Sequence, residues 1–272
     1  MRSRSALLLA ASSAMAVLAA CGGGDPQLSA ADEPLRVGAS PLPHAEILRH
    51  IDDELAADAG LDLEIVEFTD YVQPNVALDD GSIDANYFQT VPYLEEQEAA
   101  AGYDFTPLEP VHIEPLGIYS DSLTDLADLP DGASVAIPND PTNAGRALRL
   151  LAANDLITLA DTGDAAPTAL DVEGNPKDLQ IQEIEAAQLP RSLADVDAAV
   201  INGNYAIDAD LKPAEDALAL EEAEGNPNAN LLVVRAGTED DERIVQLEEL
   251  LHSDEVRQFI EDTYAGAVIP AF

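Results

Sequence analysis

Short apolar runs that alternate with amphipathic helical stretches along most of the chain constrain its fold more than any other feature of the sequence. Residues 35–40 read as a strand, and residues 44–59 place Ile47, Leu48, Ile51 and Leu55 on one helical face, with Pro41 and Pro43 marking the entry. Residues 61–68 alternate apolar with acidic side chains, as a half-exposed strand does. A short helix at 73–78, a strand at 84–88 and a helix at 92–101 follow. Beyond residues 112–119 the order resumes with a strand at 133–137, a helix at 143–154, and strands at 179–184 and 197–201. A strand at 230–235 leads back to helices at 239–251 and 254–264, whose inner faces carry Ile244, Leu247 and Leu251, then Val256, Phe259 and Ile260. Repeated strand-helix order implies parallel strands covered by helices. The expected architecture is α/β, in two lobes, with the end of the chain packing on the first. Sites in such folds lie at the carboxyl ends of strands and in clefts between lobes.

The amino terminus addresses the chain outside the cytoplasm. Residues 1–20 read as a signal peptide: Arg2 and Arg4, then an apolar run from Ala6 to Ala20 that is too short to span a bilayer and ends in small residues. Cys21, the only cysteine, follows Leu18-Ala19-Ala20 and is expected to be diacylated, which anchors the chain in a membrane. Residues 21–34, small and polar, are expected to form a lipidated tether. Asp and Glu number 53 against 12 Lys and Arg, so clustered cations for nucleic-acid binding are lacking and no nucleic-acid partner is expected. Apolar residues at 47% with regular periodicity exclude a disordered acidic chain. The carboxylate-rich surface that remains repels itself in dilute buffer, and salt relieves that repulsion.

Three stretches carry candidate chemistry. Aromatic residues are few, 7 Tyr and 5 Phe, yet Phe68, Tyr71, Tyr87, Phe88 and Tyr93 fall close together. Aromatic faces in a cleft suit an apolar or thioether group, and a place in the core suits them equally, Phe68 and Tyr93 above all. Residues 138–146 follow a buried strand and open a helix, with Asp140 or Thr142 as cap; the helix start with Arg146 suits a carboxylate better than a phosphate, because no glycine-rich loop or lysine accompanies it. Pairing of Arg146 with a surface acid is the alternative. Asn202-Gly203-Asn204-Tyr205 ends a buried strand with groups that donate and accept, and Asn-Gly is also ordinary turn chemistry. No serine elbow, phosphate loop or zinc-helix motif is present, so no enzyme and no cofactor is expected. His44 and His50 share a helical region without a third ligand at suitable spacing, so no metal site is expected either.

At these residues the chain resembles the methionine-binding lipoproteins of the NlpA/MetQ family, the substrate-binding components of methionine ABC importers. The resemblance runs over residues 35–272 and is carried by Val37-Gly-Ala-Ser-Pro-Leu-Pro-His-Ala-Glu46, Asp70-Tyr-Val-Gln-Pro-Asn75, Ala85-Asn-Tyr-Phe-Gln89, Pro138-Asn-Asp-Pro-Thr-Asn143 with Gly145-Arg146, Gln188-Leu-Pro-Arg-Ser192, and Ile201-Asn-Gly-Asn-Tyr205. It implies a bilobal type II periplasmic-binding-protein fold, with residues 35–117 plus 225–272 as lobe 1 and 118–224 as lobe 2. It implies a monomeric receptor that closes on methionine, stays at the membrane through its lipid, and delivers its ligand to a permease driven by an ATPase. Tyr71 and Phe88 would surround the methionine side chain, Arg146 would take the carboxylate, and Asn202 and Asn230 the backbone polar groups; Thr90, Tyr93, Glu114 and Asn143 complete the expected pocket. Thr90 stands where most members have histidine, which leaves room for D-methionine, a methionine dipeptide or another small amino acid, or for an envelope or adhesion role without transport.

Overall fold

The computed structural model describes residues 28–163 and 165–272. The expected signal peptide and residues 21–27 of the expected tether, Cys21 included, lie outside the described residues. Two sheets organise the chain, one of six strands and one of five, beside a small two-stranded hairpin.

The first sheet is built from β1 (Leu35–Ala39), β2 (Leu63–Glu67), β3 (Ala85–Thr90), β4 (Phe105–Ile113), β12 (Ala229–Arg235) and β13 (Ile269–Pro270), in the order β13-β4-β12-β3-β1-β2. Its β1, β2 and β3 pair in parallel, as strand-helix repetition requires. The helix Glu46–Ile51 continues without a break to Ala59, where Gly60 adopts a left-handed conformation (φ 74°) and ends it. Ile47, Leu48 and Ile51 point inward against Leu35, Val37, Leu232 and Val234, and Ile244, Leu247, Leu251, Val256 and Ile260 from the helices Glu242–Leu251 and Asp254–Tyr264 join the same core. The end of the chain therefore packs on the first sheet. Each such aliphatic side chain contributes about 1.5–3 kcal/mol by leaving water.

The second sheet comprises β5 (Gly117–Tyr119), β6 (Ser134–Pro138), β9 (Gln180–Ile184), β10 (Ala198–Ile201) and β11 (Ala219–Leu220), ordered β11-β5-β10-β6-β9. Ile118, Val135, Ile137 and Val200 pack against Leu148 and Leu151 of the helix Pro141–Ala153, forming a separate core.

Antiparallel pairing departs from the parallel expectation at β12 and β13 in the first sheet and at β5 in the second. β12 enters between β3 and β4 antiparallel to both, because the chain returns from the second sheet by a route opposite to the one it left on. β4 itself is not evident in the sequence pattern, since Pro107 and Pro110 interrupt it. Both prolines face β12 where the pairing register shifts, so the missing N–H groups are accommodated by irregularity. The chain crosses between the sheets at residues 114–116 and 221–228, and both crossings contribute to the site below.

The expected tether is shorter than its composition indicates. Ser29 donates its backbone N–H to Asp84 Oδ1 (2.8 Å), and Arg243 donates to the Ser29 and Ala30 carbonyls at 2.8 and 3.1 Å. Leu28 packs against the first core. Residues 28–34 are thus fastened to the first sheet by contacts to side chains distant in sequence, which local composition does not register.

Candidate functional site

All nine side chains expected to line a pocket face one cleft: Tyr71, Phe88, Thr90, Tyr93, Glu114, Asn143, Arg146, Asn202 and Asn230. His44, Gln89, Gly203 and Asn204 complete the lining, and the cleft encloses about 390 Å³ counting its mouth. The first sheet supplies the end of β3 and the start of β12; the second supplies the residues after β6 and β10. These are strand ends, where open α/β sheets place their ligands.

One wall is aromatic. Tyr71 lies 6.0 Å from Phe88 and 5.9 Å from Tyr93, and Phe88 and Tyr93 meet edge to face at 6.0 Å. Tyr93 donates its hydroxyl to the Tyr71 carbonyl (3.0 Å), which fixes one ring relative to the other. Behind Phe88, the side chains of Asn75, Asn86 and Gln89 exchange four hydrogen bonds of 2.8–3.0 Å while fully out of solvent. That amide network locks the helix Gln73–Asp79 to β3 and so holds the aromatic wall. Thr90 sits at the rim of this wall, before the helix Val91–Ala101, and makes no capping bond.

The opposite wall is polar. Asp140 caps the helix Pro141–Ala153 by accepting from Asn143 N–H at 2.8 Å. Asn143 Oδ1 then accepts from Asn202 Nδ2 (2.9 Å) and Arg146 Nη1 (3.3 Å). Arg146 also donates to both oxygens of Glu221, at 2.6 and 3.3 Å, so the pairing of this arginine with an acid, left open by the sequence, is realised. Of the five guanidinium N–H groups three are engaged by these two residues, which leaves two beyond them. Glu221 was missed by sequence reasoning because it lies 75 residues away in the second crossing. Residues 203–208 continue as a short helix rather than an open turn, and the side-chain oxygen of Asn202 is buried among the described residues with no partner.

A buried chain of titratable groups reaches the cleft at His44 and Glu114. Tyr87 Oη is 2.5 Å from His112 Nδ1, His112 Nε2 is 2.7 Å from Glu114 Oε1, and His44 Nε2 is 3.3 Å from the same oxygen and 3.0 Å from Asn230 Oδ1. Burial lowers His44 to about 4 and His112 to about 3, so both rings are neutral at pH 7. Burial pushes the Glu114 carboxyl up, against the pull of His44, Arg146 and the Asn204 backbone N–H. The sequence pairs His44 with His50; in the structure His50 stacks on Phe259 instead, and His112 and Glu114 are the neighbours of His44. Their donor atoms lie within 4.8 Å of one another, a grouping of metal-ligating types that sequence spacing did not reveal.

The sheets touch across the cleft. Tyr71 donates to Asn204 Oδ1 at 2.6 Å, Tyr205 to the Thr69 carbonyl at 3.3 Å, and Thr142 to the Pro92 carbonyl at 3.4 Å. Two α/β lobes that meet over a buried polar and aromatic cleft define a bilobal binding protein of the periplasmic type.

Comparison with known proteins narrows the class. The model of the NlpA lipoprotein family matches residues 35–272, and the chain belongs to that family. It is 40% identical over 260 residues, 93% of each chain, to the methionine-binding lipoprotein MetQ of Bacillus subtilis. A nutrient-binding protein from Burkholderia cenocepacia bound to methionine is 44% identical, with a TM-score of 0.85 over 88% of this chain and all of that one. The periplasmic substrate-binding protein of an ABC transporter from Coxiella burnetii is 41% identical, with a TM-score of 0.83 over 87% of this chain and all of that one.

Proposed function

We propose that this protein captures methionine between its two lobes and delivers it to the permease of an ABC importer, without catalysing a reaction. The observation that carries this reading is the division of the cleft: an aromatic wall of Tyr71, Phe88 and Tyr93 on one side, and opposite it Arg146 and Glu114, a donor and an acceptor of opposite sign. A thioether chain lies against aromatic faces at about 0.3–1.5 kcal/mol per contact, while carboxylate and ammonium take the charged pair. Relatives named for methionine, and one solved with methionine bound, support the choice. The lobes are taken as residues 35–117 plus 225–272 and 118–224, and Cys21 as the lipid attachment that keeps the receptor outside the cytoplasm beside its permease. Because a ligand shifts an equilibrium only through its differential affinity, side chains from both lobes must touch it for closure to follow.

Calorimetry with L-methionine, D-methionine, methionine dipeptides and a panel of other amino acids tests the proposal. L-Methionine is expected to bind most tightly. Silence across the whole panel would sink it, and preference for another member would reassign the ligand, Thr90 being the lining residue to examine first.

A further inference from the structure

Tyr87 and His112 are wholly buried and neither lines the cleft, yet they end on one of its charged groups. We propose that they are positioning residues which make the site selective for ligands bearing a free primary ammonium, by holding Glu114 as an oriented acceptor. This inference rests on the amino-acid reading above.

Donors and acceptors alternate along this chain of side chains. Burial raises the Tyr87 hydroxyl far above its ordinary value, so it keeps its proton, and the partner 2.5 Å away is His112 Nδ1. A neutral imidazole that accepts at Nδ1 carries its hydrogen on Nε2. That hydrogen points at Glu114 Oε1, 2.7 Å distant. Tyr87 therefore fixes the tautomer, and the tautomer makes Glu114 an acceptor. His44 Nε2 lies 3.3 Å from Glu114 Oε1 and 3.0 Å from Asn230 Oδ1, and in its Nε2–H tautomer it works in the same sense.

Among the described residues only the two neutral histidines lie within ion-pair distance of Glu114; Arg146 pulls on this carboxyl from farther off and gives its hydrogen bonds to Glu221 and Asn143. Burial raises the Glu114 carboxyl, so its charged form is favoured when a cation comes into contact with it, and a ligand ammonium would be that cation. Gly203 lets Glu114 come close: a Cβ there would stand 2.7 Å from Glu114 Cβ and 3.2 Å from Oε2. The same three side chains could be read as a metal site, but the 2.7 Å contact is a hydrogen-bond distance, shorter than the roughly 3.3 Å between two ligands of one tetrahedral zinc. The chemical class selected is a free amino acid or a peptide with an unblocked amino terminus; N-acyl and des-amino analogues are rejected.

The test is calorimetry on the full-length chain with L-methionine, N-acetyl-L-methionine and 4-(methylthio)butanoate, the analogue lacking the amine. The wild type is expected to prefer L-methionine over the des-amino compound by roughly 100-fold, the worth of a charged hydrogen bond. Tyr87→Phe and His112→Phe should each lower that ratio about tenfold or more by weakening L-methionine alone. His112→Gln, whose amide N–H can still reach Glu114, should restore part of it. Equal loss for both ligands, or an unchanged ratio in Tyr87→Phe, overturns the proposal while leaving methionine capture intact. Should His112→Phe not fold, Tyr87→Phe and His112→Gln decide the matter. If the wild type binds none of the three, the amino-acid reading fails and this one with it.

Discussion

Arg146 shows how a single side chain serves two partners. Its fork is held by Glu221 and Asn143, so it would meet the proposed ligand already oriented, with its charge partly balanced. Arg146→Ala is expected to weaken methionine binding by about 2–4 kcal/mol, since the ligand carboxylate and Glu221 are both left without their donor. Near-native affinity by calorimetry would contradict that role. The two buried histidines yield a prediction on stability. Their folded values, about 4 and about 3, lie below the roughly 6.5 of an unfolded histidine. The unfolded chain therefore binds more protons below pH 6.5; this contribution is complete above that value and declines as pH falls through the folded values. Urea melts of wild type and His112→Gln at pH 7 and pH 4.5 should show the wild type losing more, by about 2 kcal/mol. The surface and His44 are common to both proteins, so their share largely cancels in the difference. Parallel losses would show that His112 is not held neutral.

At the scale of elements, the long periodic segments were legible because their cause is local. Helix 254–264 was read to the residue, and the inward placement of Ile244, Leu247 and Leu251 follows from spacing alone. The strand β4 was not, since its pairing partner β12 lies more than a hundred residues away and Pro107 and Pro110 hide its pattern. The cleft divides in the same manner. Tyr71, Phe88, Arg146 and Asn202 sit in motifs that follow strands or open helices, whereas Glu221, Tyr87 and His112 matter through contacts that only the tertiary structure creates. Gly203 belongs with the second group: its lack of a side chain is dictated by Glu114 across the cleft. Gly203→Ala is expected to raise the dissociation constant for methionine about tenfold or more, because the new Cβ must displace Glu114 or the short helix behind it. An unchanged constant together with an unchanged melting temperature would show that the contact is readily relaxed.

For the whole molecule, charge governs behaviour in solution. A formal net charge of −41 on 272 residues repels the two lobes from each other and each from itself. Raising salt from dilute buffer to about 1 M shortens the Debye length from tens of ångströms to about 3 Å and should raise the melting temperature. A melting temperature that stays level or falls across that range would show that repulsion among surface carboxylates does not limit stability in dilute buffer. The asymmetry of the fastening at the amino terminus acts at the same scale. Ser29 and Ala30 are gripped by Asp84, just ahead of β3, and by Arg243 of the helix that packs on the first sheet. With Cys21 acylated as proposed, a pull from the bilayer would be taken up at that mooring on the first lobe. The second lobe would then be left to move about it without the leash pulling on it directly.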